Sequence, residues 1–400
     1  MNTLSQRIQS LAESETLAMT RRSRELSEQG HDIINLSIGQ PDFFTPSFIK
    51  DAAKKAIDDN FTYYPPVAGF KEVRQSIAAK LKRDNQLEYD PSQIVVSTGA
   101  KQAIANTVMS LVNPGDEVIV PVPYWVSYRE IIRLAGGKAV YIHTSIDNDF
   151  KVTPKEIAGA VTDKTKLIIF SSPCNPTGSV YSKEELKGLA DEFSRHTGLY
   201  VISDEIYELI NFDGHHESIA QFDNIRERVI IINGVSKGFS MTGWRLGYLA
   251  ANSEIASATE KFQGQITSGA SSISQMAAKA ALDADPNHVK EKEEMLNAFK
   301  KRRDLLLDGL SKIEGIKTNV PTGAFYIFPD VSSLFGKKYN GKPIENSTQL
   351  ADYLLNEGHV ATVPGTAFGD PNCIRISYAT SEQQLVEALK RISKAIHQLV

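Results

Sequence analysis

Cysteine is nearly absent: the 400 residues include two, Cys174 and Cys373. Neither has metal-ligand or redox-motif spacing, which excludes a disulfide framework and points to a reducing, cytoplasmic compartment. No sign of charge dominates, with 44 basic residues against 48 acidic, a formal net charge of −4 and no long like-charge block. That balance leaves no footprint for nucleic acid or an anionic membrane, so a small soluble molecule is the expected partner. No apolar run approaches the ~18 residues of a membrane span. Met1 to Ser14 is too polar to hold the core of a signal peptide. Internal repeats and low-complexity tracts are missing as well. Asn346-Ser347-Thr348 matches a glycosylation acceptor, a match read as accidental in a chain that is not secreted. His143, His196 and the pair His215-His216 have no acid or cysteine at metal spacing, so they are read as solvated or structural and no metal is expected.

What is present is apolar material in quantity. With 41% apolar residues in 400, the chain exceeds the size at which one core divides, and two domains are expected. Short apolar runs at 94–99, 117–120, 139–142, 166–170, 200–202, 229–232 and 247–250 are separated mostly by helical patterns, including 47–58, 70–85 and 101–112. Such alternation predicts an α/β fold with a mainly parallel seven-stranded sheet covered by helices. A charge-rich helix from about Asp285 to Gly309 then leads into a smaller α+β domain. There, 323–328 and 373–378 alternate like half-exposed strands, with helices at 346–357 and 381–399. The expected division is a large domain over 46–295 and a small one made of 1–45 and 296–400. Phe335 to Pro343 reads as an ordinary surface loop.

The chemistry gathers at strand ends. Ile231-Ile232-Asn233-Gly234-Val235-Ser236-Lys237 delivers a lysine into a small-residue turn, with Arg245 downstream. Tyr200-Val201-Ile202-Ser203-Asp204 is a second apolar strand that ends on an acid, with Tyr207 three residues on. An amine for an aldehyde, an acid for a ring nitrogen and a cation for a phosphate are the groups needed to hold pyridoxal 5'-phosphate. A strand, a glycine turn and a helix around Gly99-Ala100 make a phosphate site plausible. Each residue also has a plainer reading. Lys237 could be a surface lysine, Asp204 a helix cap, Trp125 a core tryptophan, Tyr63 and Tyr64 anchors of a loop, and Asn175 a turn residue in Asn-Pro-Thr-Gly.

Asn175-Pro176-Thr177-Gly178, Ser203-Asp204-Glu205-Ile206-Tyr207 and Ser236-Lys237 through Arg245 occur in the order seen in class I aminotransferases, which the chain resembles throughout its length. Gly99-Ala100-Lys101-Gln102-Ala103, Pro123-Tyr124-Trp125-Val126-Ser127-Tyr128 and Val363-Pro364-Gly365-Thr366 look most like the lysine-using bacterial aspartate aminotransferases. The resemblance implies fold type I of the pyridoxal-phosphate enzymes, a homodimer, and exchange of an amino group between L-aspartate and 2-oxoglutarate. Aromatic or prephenate transamination is the alternative. It also implies roles. Lys237 carries the cofactor and moves a proton. Asp204 pairs the ring nitrogen, and Tyr207 and Asn175 hold the phenolic oxygen. Trp125 stacks on the ring. Gly99, Ala100, Ser236, Arg245 and, from the other subunit, Tyr64 hold the phosphate. Arg375, Gly39 and Asn175 bind the substrate's alpha-carboxylate. Lys101, with Ser14 and Thr16, takes the distal carboxylate; the other readings of Lys101 are phosphate binding or an exposed helix terminus. Gly234 stands where some relatives carry serine. Ala12 stands where those that accept prephenate carry lysine.

Overall fold

The computed structural model describes residues 3–400. Seven strands form one sheet in the order Ile94–Ser97, Gly247–Ala250, Val229–Gly234, Tyr200–Asp204, Thr165–Ser171, Glu117–Val122, Lys138–His143. All neighbours are parallel except Gly247–Ala250, which runs antiparallel to both of its own. The expected mainly parallel, seven-stranded α/β sheet is the observed one.

Successive residues of these strands serve different cores. Ile168, Val201 and Ile231 belong to one apolar cluster, and Ile169, Ile202 and Ile232 to the other. Side chains alternate across a strand, so a sheet covered on both faces needs runs without a polar face. Ile49, Val73 and Ala277, from the helices Ser47–Asp58, Lys71–Asn85 and Ser272–Asp283, cover the first face. Ile104 and Ile255, from Ala100–Leu111 and Ser253–Ile266, cover the second. Helix starts are written locally: Thr153 and Ser182 each accept from the amide three residues on, and Glu156 and Glu185 return the bond.

A further core gathers Leu36, Phe299, Phe325, Leu354, Ile376 and Leu385. Around it lie the helices Lys290–Leu310, Ser347–Asn356 and Glu382–His397. With them are a three-stranded antiparallel sheet and the parallel pair Ile34–Asn35 with Val360–Ala361. Four details differ from expectation. The helix expected from Asp285 starts at Lys290, because Pro286 opens a separate 3₁₀ turn capped by Asp285. Of the run 323–328 only Tyr326–Ile327 is paired strand, since Ala324 takes a left-handed φ of 55°. Ile374–Ser377 is buried on both faces rather than half exposed, because Arg375 points into an internal cavity instead of water. Finally, Lys338–Tyr339 and Lys342–Pro343 pair as a hairpin across Asn340-Gly341, both at positive φ, as a two-residue hairpin turn requires.

In a parallel sheet ligands bind outside the carboxyl ends of the strands. Here those ends put Ser171, Asp204 and the Ser236-Lys237 turn along one edge, facing Ser37-Ile38-Gly39, Tyr326 and Arg375 from the other core.

Candidate active site

These groups line one cavity of about 560 Å³. Lys237 lies half-buried in its wall, and its ammonium donates to the carbonyl of Gly39 at 2.5 Å. Loss of water pushes its pKa down to about 7, helped by the Arg375 and Arg245 guanidinia and opposed by Asp204. A lysine in that range is partly neutral at physiological pH, so it can act as a nucleophile and as a proton carrier. The surface-lysine reading does not describe this side chain.

Asp204 is buried at the end of its strand. Its Oδ2 accepts from the Tyr128 hydroxyl at 2.7 Å and its Oδ1 from the Ile206 amide at 3.3 Å. Burial raises its pKa to about 6 despite both hydrogen bonds. The capping reading is half right: the Ile206 contact closes a turn, but no helix follows, and the carboxylate faces the cavity. Tyr207 is buried with its hydroxyl 2.9 Å from that of Tyr326.

Arg375 is 2% exposed. It donates to Asn175 Oδ1 at 3.0 Å and to the Ser37 carbonyl at 2.7 Å, and its Nε has no partner. Its guanidinium lies 4.5 Å from the Tyr326 ring centre and 5.0 Å from that of Phe368. Among the described residues no carboxylate forms an ion pair with it. A buried cation without a counter-ion is a receptor for an anion, and a planar fork suits a carboxylate. The turn reading of Asn175 holds, since its Asn-Pro-Thr-Gly turn is closed by Gly178 at φ 70°, and its side chain also accepts from Arg375.

At the other end of the cavity Gly99, at φ 86°, caps the helix Ala100–Leu111. The first amides of a helix have no partner within it. A Cβ on Gly99 would fall 2.5 Å from Arg245 Nη2, so only glycine lets this guanidinium approach the helix terminus. Arg245 is itself held by a bond to the Thr242 carbonyl at 2.9 Å. With buried Ser236, these groups gather hydrogen-bond donors and a cation at this end of the cavity. The Lys101 ammonium sits 5.0 Å from the centre of the Trp125 ring. Burial, then Arg245, lowers its pKa. Trp125 packs edge-on against Tyr128 and keeps a face toward the cavity rather than being lost in the core.

Not every expected residue reaches the wall. Thr16 does, but Ser14 stands behind it, joined by a 2.8 Å hydroxyl contact. Tyr63 and Tyr64 are 83% and 94% exposed, so neither anchors a loop within this chain, and Tyr64 does not line its cavity. Sequence reasoning assigned no role to Tyr128, Tyr326, Ser37 or Ser171, all of which line the cavity. Tyr128 sits in the first turn of the helix Ser127–Leu134, and its amide donates to the carbonyl of Trp125, which lies just before that helix. His216 is a structural histidine, but acids do stand beside it in space. It is buried, with Nε2 3.1 Å from Glu205 Oε2, and its donor atoms lie within 4.8 Å of those of Glu205 and Glu208. The Lys80 ammonium already pairs with Glu208.

The profile of the family described as aminotransferase class I and II matches residues 31–392. A bifunctional aspartate aminotransferase and glutamate/aspartate-prephenate aminotransferase of Petunia hybrida is 47% identical over 395 residues, covering 98% of this chain and 82% of that one. An aspartate aminotransferase of Bacillus sp. (strain YM-2) is 43% identical over 98% of this chain and 99% of its own length. The crystal structure of the aspartate aminotransferase of Rhizobium meliloti superposes with a TM-score of 0.96 at 39% identity, covering 100% of both chains.

Proposed function

The chain belongs to the class I and II aminotransferases, and on that premise we propose that it exchanges an amino group between L-aspartate and 2-oxoglutarate with pyridoxal 5'-phosphate as cofactor. The observation that carries this reading is the pairing, across one cavity, of a lysine near neutrality with a buried guanidinium that lacks a counter-ion.

The residues fit the cofactor. Asp204 is a buried carboxylate whose hydrogen bonds leave its pKa raised, so a cationic ring nitrogen is the partner that would keep it ionised. The glycine-opened cradle of Gly99, Ala100, Ser236 and Arg245 suits a phosphate. Trp125 offers a π face for the ring, and Tyr207 and Asn175 offer donors for its phenolic oxygen. When bound, the cofactor supplies an electron sink for the charge left when a proton leaves the substrate's alpha carbon. Lys237 takes that proton and returns it one position away, which its lowered pKa permits. Arg375 grips the alpha-carboxylate, and Gly39 leaves room for it; Lys101, with Thr16 and Ser14 behind it, takes the distal carboxylate. Two cationic grips suit a dicarboxylate.

Tyr64, fully outside its own cavity, reads as a phosphate ligand given to a second copy of the chain, so the working form is a homodimer. A division into a large domain over 46–295 and a small one of 1–45 with 296–400 is supported by cores that are mostly separate, although Tyr207, Ile210 and Met295 of the large part pack into the small domain's core. A cytoplasmic location suits two free cysteines. The alternative is aromatic or prephenate transamination. It is favoured by the prephenate activity in the Petunia relative's name and opposed by Ala12 in place of lysine.

Lys101→Ala tests the substrate assignment. It should raise KM for aspartate and 2-oxoglutarate about tenfold or more, and KM for phenylalanine less than twofold. Equal effects on both would make Lys101 a phosphate ligand and remove the preference for dicarboxylates.

A further inference from the structure

Tyr326 belongs to no motif, yet it touches both halves of the site. It lies opposite Ser377 on the neighbouring strand, two residues beyond Arg375. Its ring lies against the Arg375 guanidinium at 4.5 Å, and its hydroxyl lies 2.9 Å from that of Tyr207. Tyr326 is wholly buried, and a Cβ on Gly39 would come within 3.1 Å of its hydroxyl. The phenol therefore crowds any side chain at position 39, whose carbonyl receives Lys237.

A phenol has one proton to donate. The Tyr207–Tyr326 contact needs one proton between its two oxygens, supplied by either partner. Once Tyr207 gives its own proton to a bound acceptor in the cavity, only Tyr326 can supply the one between them. A hydroxyl that accepts a hydrogen bond becomes a stronger donor, because bonds in a chain polarise one another. We propose that Tyr326 is a positioning residue joining the carboxylate grip to the cofactor's phenolic edge: its hydroxyl donates to Tyr207 and its ring carries Arg375. This inference rests on the cofactor reading above. The other charged groups facing the pair are Lys237, 5.7 Å from the Tyr207 ring centre, Arg375 and Asp204.

The test is a spectrophotometric pH titration of the protein loaded with pyridoxal 5'-phosphate, comparing wild type with Tyr326→Phe, which keeps the ring and removes the hydroxyl. With a weaker Tyr207 donor the ionised phenolic oxygen is less stable. The pH midpoint of the visible band should therefore rise by about half a unit, while KM for aspartate stays within twofold. In a Tyr207→Phe background the same substitution should add no shift, because the chain it feeds is already broken. Tyr326→Leu, which also removes the ring, should raise KM for both the amino acid and the oxo acid severalfold. An unshifted midpoint in Tyr326→Phe overturns the proposal, and so does an equal shift in the Tyr207→Phe background. Absence of any visible band in the wild type overturns the cofactor reading itself, and the proposal with it.

Discussion

Tyr128→Phe is the most informative single substitution outside the expected set. The Tyr128 hydroxyl donates to Asp204 Oδ2 at 2.7 Å, and both residues are buried. A hydrogen bond to a charged acceptor contributes about 1.5–3 kcal/mol. At about 1.4 kcal/mol per pKa unit, its loss should raise Asp204 by one or two units. Starting from about 6, the carboxyl would then titrate at about 7–8. At pH 7 its ionised fraction falls from about nine-tenths to between a half and a tenth. If ionised Asp204 holds the ring nitrogen, the apparent affinity of the variant apoprotein for pyridoxal 5'-phosphate should fall about two- to tenfold at pH 7. Most of that deficit should vanish at pH 9, where Asp204 is mostly ionised in either protein. Tyr128 itself stays protonated there, because burial and the Asp204 carboxylate hold its pKa well above the ordinary value. The assay is titration of apoprotein with cofactor at the two pH values. Equal affinities at pH 7, or a deficit unchanged at pH 9, would refute the reasoning and make Tyr128 a packing residue.

Arg375→Lys keeps the charge but loses the fork that bonds Asn175 and the Ser37 carbonyl; kcat/KM for aspartate should drop about 30-fold or more, and a loss below threefold would contradict the carboxylate role. His216 predicts a pH dependence of stability. Burial lowers its pKa, but the Glu205 carboxylate beside it, helped by Glu208, leaves it raised above 6.5. A raised histidine stabilises the fold fully below its unfolded value and loses that contribution as pH rises through its folded pKa. Thermal unfolding should therefore show Tm falling from about pH 6.5 upward, and His216→Gln should flatten that slope; a parallel slope in the variant would assign it to other groups.

The sheet was legible because both-face burial leaves no choice of residue: runs such as Val229-Ile230-Ile231-Ile232 can be little else in a chain of this composition. Lys237, Asp204 and Arg245 were legible for a related reason, being polar residues placed where apolar strands or small-residue turns end. Tyr128, Tyr326 and Ser37 were not. Their contacts depend on how one core is set against another, and nothing within a few residues of Tyr326 encodes that Arg375 will lie on its ring. The same limit explains His216, whose acids come to it through the turn after Asp204 rather than through sequence spacing. The half-exposed reading of Ile374–Ser377 failed because an arginine on an alternating strand normally marks water, and here it marks an internal site.

Lys237 is proposed to bind pyridoxal 5'-phosphate in a site built for a dicarboxylic amino acid. The visible absorption spectrum of the purified protein supplied with that cofactor, followed on adding L-aspartate and, separately, L-phenylalanine, tests it most directly. The expected result is a visible band that aspartate bleaches far faster than phenylalanine, and that is missing in Lys237→Ala. Faster bleaching by phenylalanine would contradict the substrate assignment, and a wild-type protein with no visible band would contradict the whole reading of the cavity.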